Sequence, residues 1–361
     1  MKTDRLAQPL YVEDLDRTVN SALEWERLRG STILISGASG MLGIFLADAL
    51  MRANATLGIE CRILAVARDE GRLRRTFVQY GGNHAFSIVP ADVSQKVSDG
   101  LPQSDFVVHA ASNTHPYLYA TDPIGTMTAN IQGTQNLLDY AVRSEARRFC
   151  FISTVEIYGE NTLGSARFGE HDMGYLDSNT LRAGYPESKR AGEALTQAFR
   201  AQYGLDVVVP RLPRVFGPTT RANDTKAMSQ FIQRAVEGKD IVLKSNGDQF
   251  YSYLYLADAT AGLITCLLEG ADGEAYNIAH PSCDIHLREL ATVVAEVAGT
   301  NVVFDLPDET ERKGYSTATT ALLDGTKVAK LGWSTQYTVK SGVERTIGLL
   351  RRLRSDSHAD D

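Results

Sequence analysis

Short apolar, β-branched runs recur at residues 31–35, 61–67, 86–93, 106–112 and 148–154. They read as strands covered on both faces of a sheet. Between them, residues 41–52, 126–142 and 185–203 have helical patterns. Strands alternating with helices predict an α/β fold built on a doubly wound parallel sheet. Ahead of the first strand, Val12, Leu15, Val19, Leu23 and Leu28 fall near helical spacing, so residues 1–29 are expected to form an amphipathic helical extension. Its apolar face would pack on the first strand or on a partner subunit. The polar segment 355–361 is expected to fray.

The first strand runs straight into Gly37-Ala38-Ser39-Gly40-Met41-Leu42-Gly43. In a strand–turn–helix unit each glycine has a physical task. Gly37 permits the sharp turn, Gly40 lets a pyrophosphate approach the backbone, and Gly43 lets the helix pack close to the sheet. The N-terminus of the helix then offers free N–H groups and a positive dipole to phosphate. The spacing is G-x-x-G-x-x-G rather than G-x-G-x-x-G. By itself it also suits a plain tight turn in any α/β protein.

The end of the second strand bears on which dinucleotide binds. It reads Ala67-Arg68-Asp69. A small residue followed by arginine favours the 2′-phosphate of NADP, by charge and by fork geometry, and Arg72, Arg74 and Arg75 add positive potential. The alternative is that Asp69 takes the ribose hydroxyls of NAD and the arginines are a solvated face. Asp92 is placed to accept from the adenine amino group. The small residues Ala110, Ala111 and Ser112 would let the cofactor lie across the fourth strand.

Composition narrows the partners. The chain has 361 residues, 43% of them hydrophobic, and a net charge of -7, which does not suggest a nucleic-acid partner. No apolar run is long enough to span a bilayer and no signal-peptide pattern opens the chain, so a cytoplasmic protein is expected. Cys61, Cys150, Cys266 and Cys283 lie far apart, and buried free thiols are expected. His115, His280 and His286 have no metal-ligand spacing, so no metal is expected.

The chemistry-bearing residues lie further on. The fifth strand ends in Ser153-Thr154-Val155-Glu156, and Tyr185-Pro186-Glu187-Ser188-Lys189 opens a helix. Tyr and Lys four apart share a helix face. The ammonium of Lys189 is expected to lower the Tyr185 pKa towards neutrality, making it a base for a sugar hydroxyl that Thr154 orients.

At this point the sequence resembles the extended short-chain dehydrogenase/reductase family, the nucleotide-sugar epimerases and dehydratases. The resemblance covers about residues 30–350. It rests on the glycine turn, Asp92-Val93, His109 to Ser112, the run from Asn130 to Thr134, Thr154, Tyr185 with Lys189, Arg211 with Phe216-Gly217-Pro218, and Leu331-Gly332-Trp333. Within the family it looks most like UDP-glucuronate decarboxylases and dTDP-glucose 4,6-dehydratases. The stretches 117–123, 182–185 and 224–232 match the decarboxylase spacing. The resemblance implies a Rossmann-like domain at 30–212, carrying Val93 and Asn130 among its cofactor residues. It also implies a smaller, mainly substrate-binding α/β lobe at 213–354, from which the chain can cross back to the sheet. That lobe is expected from residues 216–243, 274–278 and 286–297 and the last helix. Also implied are a tightly bound NADP or NAD, a nucleoside-diphosphate-sugar substrate, and a homodimer built on the helices around 126–142 and 185–203.

The implied mechanism starts with Tyr185 removing the O4 proton of the sugar as hydride leaves C4 for the nicotinamide. Lys189 holds the nicotinamide ribose. The 4-keto sugar is then open to decarboxylation, epimerisation, reduction or 4,6-dehydration. The dehydratases typically read Thr-Asp-Glu where this chain has Thr154-Val155-Glu156. Valine donates no proton, and the decarboxylases' Thr-Ser-Glu is nearer. Glu156 is thus expected to be catalytic, although a hydrogen bond to a loop backbone would also account for it.

Two departures concern the substrate. Tyr251 stands where the family usually has the arginine that grips the diphosphate, and Arg214 stands where it usually has asparagine. Arg214 is expected to supply the missing charge, with Lys244 as a second cation. Thr114, Arg182 and Tyr251 complete the expected substrate contacts. The other reading makes Tyr251 and Tyr253 strand packing and the substrate something other than a usual nucleotide sugar. A non-catalytic, cofactor-sensing protein is the rival of another class, but a sensor has no need of Thr154, Tyr185 and Lys189.

Overall fold

The structure, a computed structural model, describes residues 4–21, 24–96, 100–112, 114, 119, 121–162, 164–221, 224–305 and 319–359. In chain order, α1 (Pro9–Val19) is followed by β1 (Thr32–Ser36), α2 (Met41–Leu57), β2 (Arg62–Ala67), α3 (Glu70–Thr76), β3 (Phe86–Pro90) and β4 (Phe106–His109). Next come α4 (Pro123–Arg143), β5 (Arg148–Phe151), β6 (Ser153–Thr154), α5 (Gly184–Tyr203), β7 (Val207–Leu212), β8 (Arg214–Phe216), α6 (Ala227–Val236), β9 (Ile241–Leu243) and β10 (Phe250–Tyr255). The chain closes with α7 (Leu256–Glu269), β11 (Ala275–Asn277), β12 (Asp284–His286), α8 (Leu287–Ala298), β13 (Val302–Phe304), β14 (Thr320–Ala321), α9 (Thr326–Ala329) and α10 (Val339–Ala359).

The main sheet runs β3-β2-β1-β4-β5-β7-β11 and is parallel throughout. Its strand order reverses direction between β1 and β4, which is the switch point where such sheets bind ligands. Alternate side chains explain why the strands are apolar throughout. Ile33 and Ile35 face one core with Phe45 and Leu46 of α2, while Leu34 and Val107 face the other with Leu137 and Leu138 of α4.

The second lobe is smaller. In it β10 pairs with β8 and β14 in parallel and with β12 antiparallel, and β9 pairs with β13. Helices α6, α8 and α10 pack against one another. One assignment is corrected. The segment 274–278 supplies β11, which pairs with β7 at the edge of the main sheet, not with the second lobe. The buried helix α7 carries the chain back to that sheet.

Three further expectations change. Residues 1–29 do not form one helix: α1 ends at Val19, and Trp25–Leu28 is a separate 3-10 turn. The buried face of α1 lies on α2, α7 and α10 rather than on β1. Its buried Asp14 accepts from Tyr255 Oη at 2.6 Å, Tyr337 Oη at 2.7 Å and Arg345 Nε at 2.6 Å. The last helix runs on to Ala359, beyond the residue 354 at which fraying was expected.

Candidate active site

The glycine turn behaves as its spacing implies. Gly37 sits at φ +68°, and a Cβ there would lie 2.7 Å from the Ala110 carbonyl oxygen. A Cβ at Gly43 would meet Gly37 O at 2.5 Å, so the first turn of α2 lies directly on the loop. Gly40 differs. Its Cβ would touch only Gly37 O, at 3.1 Å, and no side chain caps the helix at this position. The first N–H groups of α2 are therefore open towards the cleft, a surface that suits pyrophosphate.

That cleft has a volume of about 930 Å³ and lies between the sheet and the second lobe. Gly37, Ser39, Gly40, Met41, Leu42, Gly43, Arg68, Asp92, Val93, Ala110, Ala111 and Ser112 all line it. Asp92 Oδ1 accepts from the N–H and Oγ of Ser94, at 3.0 and 2.8 Å, which fixes the carboxylate. Asp69 caps α3, accepting from the N–H of Arg72 at 2.8 Å. The cradle, the small residues on β4 and Asp92 together fit a dinucleotide.

Asn130 is the exception among the expected cofactor residues. It is fully buried behind the cleft wall, accepting from Ser112 Oγ at 2.7 Å and donating to Ser188 Oγ at 2.9 Å. It holds α4 against α5 and positions Ser112. His109 is likewise structural. It is buried between Ser36 Oγ at 2.8 Å and Thr134 Oγ1 at 3.1 Å. Burial, and next the charge of Lys189, keep it neutral.

Thr154, Glu156, Tyr185 and Lys189 meet on the opposite wall. The fifth strand breaks at Ile152, and β6 delivers Thr154 at the cleft, where its side chain caps the 3-10 turn by accepting from the Glu156 N–H at 3.3 Å. Tyr185 and Lys189 enter from the first turns of α5. The Tyr185 hydroxyl lies among those of Thr154, Ser112 and Tyr119, each of which favours its anion. Lys189 donates to the Ile152 carbonyl at 2.9 Å and lies over the Phe151 ring.

The Tyr185 shift runs opposite to the one expected, for reasons other than Lys189. Burial, and next the charge of Glu156, raise the Tyr185 pKa above its ordinary value, with the three hydroxyl contacts opposing. Burial also pushes Lys189 down to about 8. The ammonium is bonded to a backbone carbonyl, and the dry surroundings disfavour its charge.

Two stacks shape the substrate side, and neither was legible from spacing. Tyr119 lies flat on Tyr185, with centroids 4.7 Å apart and planes 17° apart, and the Arg182 guanidinium lies 5.6 Å from the Tyr119 centroid. Arg182 also pairs with Glu156 at 3.5 Å. Both partners are half-exposed, so the pair orients more than it stabilises. Across the cleft, Arg214 stacks on Tyr251 at 3.4 Å, and its buried Nη1 has no hydrogen-bond partner among the described residues. Adjacent strands set this stack, because β8 and β10 pair Arg214 with Tyr253. Thr114 and Lys244 also line the cleft. Lys226 Nζ, which sequence reading did not single out, donates to Thr114 Oγ1 at 3.4 Å. His115, Tyr117, Leu118 and Ala120 lie outside the described residues.

A Rossmann sheet that brings a strand-end threonine and a helical Tyr–Lys pair to its phosphate cradle is the architecture of the extended short-chain dehydrogenases/reductases. The model of the NAD dependent epimerase/dehydratase family matches residues 33–279, and the chain belongs to that family of enzymes. UDP-glucuronic acid decarboxylase 3 of Arabidopsis thaliana is 28% identical over 278 residues, spanning 77% of this chain and 78% of the relative. UDP-glucuronic acid decarboxylase 1 of Xenopus tropicalis is 27% identical over 89% of this chain and 72% of its own. Among solved structures, a dTDP-glucose 4,6-dehydratase of Streptomyces venezuelae with NAD bound has a TM-score of 0.76 at 24% identity, covering 90% of this chain and 98% of its own. A UDP-glucuronic acid 4-epimerase of Bacillus cereus has a TM-score of 0.75 at 21% identity, over 89% and 99%. These two likenesses concern the fold. No helix among the described residues is long and apolar enough to cross a membrane.

Proposed function

We propose that this enzyme decarboxylates a UDP-glucuronate-like nucleotide sugar through a 4-keto intermediate. The observation that carries the reading is the wall formed by Thr154, Val155, Glu156, Tyr185 and Lys189, which has a base and an orienting hydroxyl but no acid at position 155. The similarity to UDP-glucuronic acid decarboxylases supports it.

Nicotinamide, when bound, supplies a hydride acceptor and later a donor. This chain's own residues do the rest. Thr154 and Tyr185 hold the sugar O4, and Tyr185 takes its proton. Lys189 binds the nicotinamide ribose and, as an ammonium, favours the tyrosinate. A ketone at C4 makes the C6 carboxylate a β-keto acid, so the C5–C6 bond breaks with loss of carbon dioxide and its electron pair enters an enolate. C5 then takes a proton from solvent water, Tyr185 returns the O4 proton, and the C4 ketone is reduced. Arg182, held by Glu156 and stacked on Tyr119, is placed to meet the sugar carboxylate. Arg214, stacked on Tyr251 in the cleft wall, is the cation for the diphosphate, with Lys244 as a second cation. Arg68 at the end of β2 favours NADP over NAD. The large apolar side chains of Ile124 and Met127 in α4 and of Leu181 beside α5 are exposed in the single chain, which suits a homodimer through these helices.

Incubation with UDP-glucuronate and its UDP-, dTDP-, GDP- and CDP-linked relatives tests the proposal. Carbon dioxide release is expected from UDP-glucuronate. Tyr185→Phe should reduce it roughly 10²- to 10⁴-fold, and Arg214→Ala should raise KM about tenfold or more. Clean C4 epimerisation without carbon dioxide would overturn decarboxylation in favour of an epimerase. No turnover of any sugar, with Tyr185→Phe without effect, would favour a sensor.

A further inference from the structure

The segment after β8 does more than connect the lobes. Thr219 Oγ1 donates to the Met41 carbonyl at 2.8 Å, and Thr220 Oγ1 lies 3.0 Å from Met41 Sδ. The loop is thus fastened to the first residue of α2, beside the phosphate cradle. The next residue, Arg221, lines the same cleft as Arg68 and Arg72, which come from the end of β2 and the first turn of α3. Three guanidinium groups from three segments therefore converge at the adenosine end. Among the described residues, none of the three is ion-paired with a carboxylate. The two acids that stand between Arg68 and Arg72 in sequence are engaged elsewhere, Asp69 as the cap of α3 and Glu70 in an ion pair with Arg74.

We propose that Arg221 closes an arginine clamp with Arg68 and Arg72 around the 2′-phosphate of an adenine dinucleotide, so that the loop after β8 selects NADP over NAD. The inference rests on the reading that a dinucleotide fills this cleft.

The charge arrangement supports the clamp. Burial, and next the like charges of Arg72 and Arg68, press the Arg221 pKa below the ordinary guanidinium value, with Asp224 opposing. Three cations held this close, without a paired carboxylate, repel one another until an anion arrives. A 2′-phosphate carries up to two negative charges and accepts fork-like hydrogen bonds from arginine. The ribose hydroxyl of NAD gives this cluster nothing to neutralise. Because Arg221 belongs to the segment pinned to Met41, cofactor choice is tied to the loop that closes the cleft, not to the β2 end alone.

Equilibrium titration of the purified full-length protein with 2′,5′-ADP and 5′-AMP tests this without any turnover. The expected result is that 2′,5′-ADP binds at least about tenfold more tightly than 5′-AMP. Arg221→Ala should lower that ratio about tenfold while leaving the affinity for 5′-AMP unchanged, and Arg221→Lys should restore part of it. The melting temperature of each variant without nucleotide shows that it folds. Equal binding of the two nucleotides by the unsubstituted protein overturns the clamp. So does an Arg221→Ala variant that folds and keeps the ratio. If neither nucleotide, nor NAD, nor NADP binds, the dinucleotide reading falls and the clamp falls with it.

Discussion

Tyr185 and Lys189 show how far burial can reverse a charge expectation. In the family's logic the ammonium should ease the tyrosine proton away. Here both side chains are dry, and burial is the largest influence on each: the tyrosine rises and the lysine falls to about 8. The sign of the lysine shift has a consequence for stability. Between about pH 8 and its ordinary 10.5, Lys189 is less protonated in the folded chain than in the unfolded one. Lys189 therefore contributes stability that grows with pH through that window, by a total on the order of 3 kcal/mol, against the opposite contribution of the buried cysteines and tyrosines whose pKa values are raised. Melting temperatures of nucleotide-free protein and of Lys189→Met across pH 7–10.5 check this. The slope should be more positive in the first than in the second, and identical slopes would sink the assignment to Lys189.

Helix α1 extends the argument to an element. Its apolar stripe is visible in the sequence, but its docking is set by a polar group. Asp14 is fully buried and accepts from two tyrosines and an arginine drawn from β10, the segment before α10 and α10 itself. Burial raises its pKa and those three partners pull it back. Removing the carboxylate leaves two buried hydroxyls and a guanidinium without their shared acceptor. Asp14→Ala should therefore lower stability by about 3–5 kcal/mol, read as a fall in the denaturation midpoint. An unchanged midpoint would show that α1 is an ornament rather than a clasp. The same acid ties α1 to the second lobe, since Tyr255 ends β10 and Arg345 lies in α10.

For the whole molecule, the cleft is the product of the chain's return. After β8 the chain builds the second lobe, re-enters the main sheet as β11, then leaves again for β12 and α8. Each crossing fixes one lobe against the other, so residues far apart in sequence face each other across the cleft. A dimer through α4 and α5 would brace the helix that carries Tyr185. Ile124, 79% exposed, and Leu181, 61% exposed, are large apolar side chains left in water by the single chain. Light scattering of the eluted protein should give twice the chain mass, and Ile124→Glu with Leu181→Glu should give a monomer. A native monomer at micromolar concentration would overturn the dimer.

Local chemistry was legible in the sequence wherever one segment carries the whole signal. The alternation of strands and helices, the glycine turn, Arg68 at a strand end and the Tyr185–Lys189 spacing each depend on residues a few positions apart. Period and steric demand therefore determine them without help from the rest of the chain. What only the tertiary structure decided involves partners brought from elsewhere. Tyr119 on Tyr185, Arg214 on Tyr251 and Arg221 beside Arg68 and Arg72 have no mark in spacing, because each pair is made by crossover connections. Asn130 looked like a cofactor residue and proved to be a buried brace, since a motif does not say which way its side chain turns. The direction of the Tyr185 and Lys189 shifts belongs with these. It is set by desolvation, and desolvation is a property of the packed molecule that no local pattern encodes.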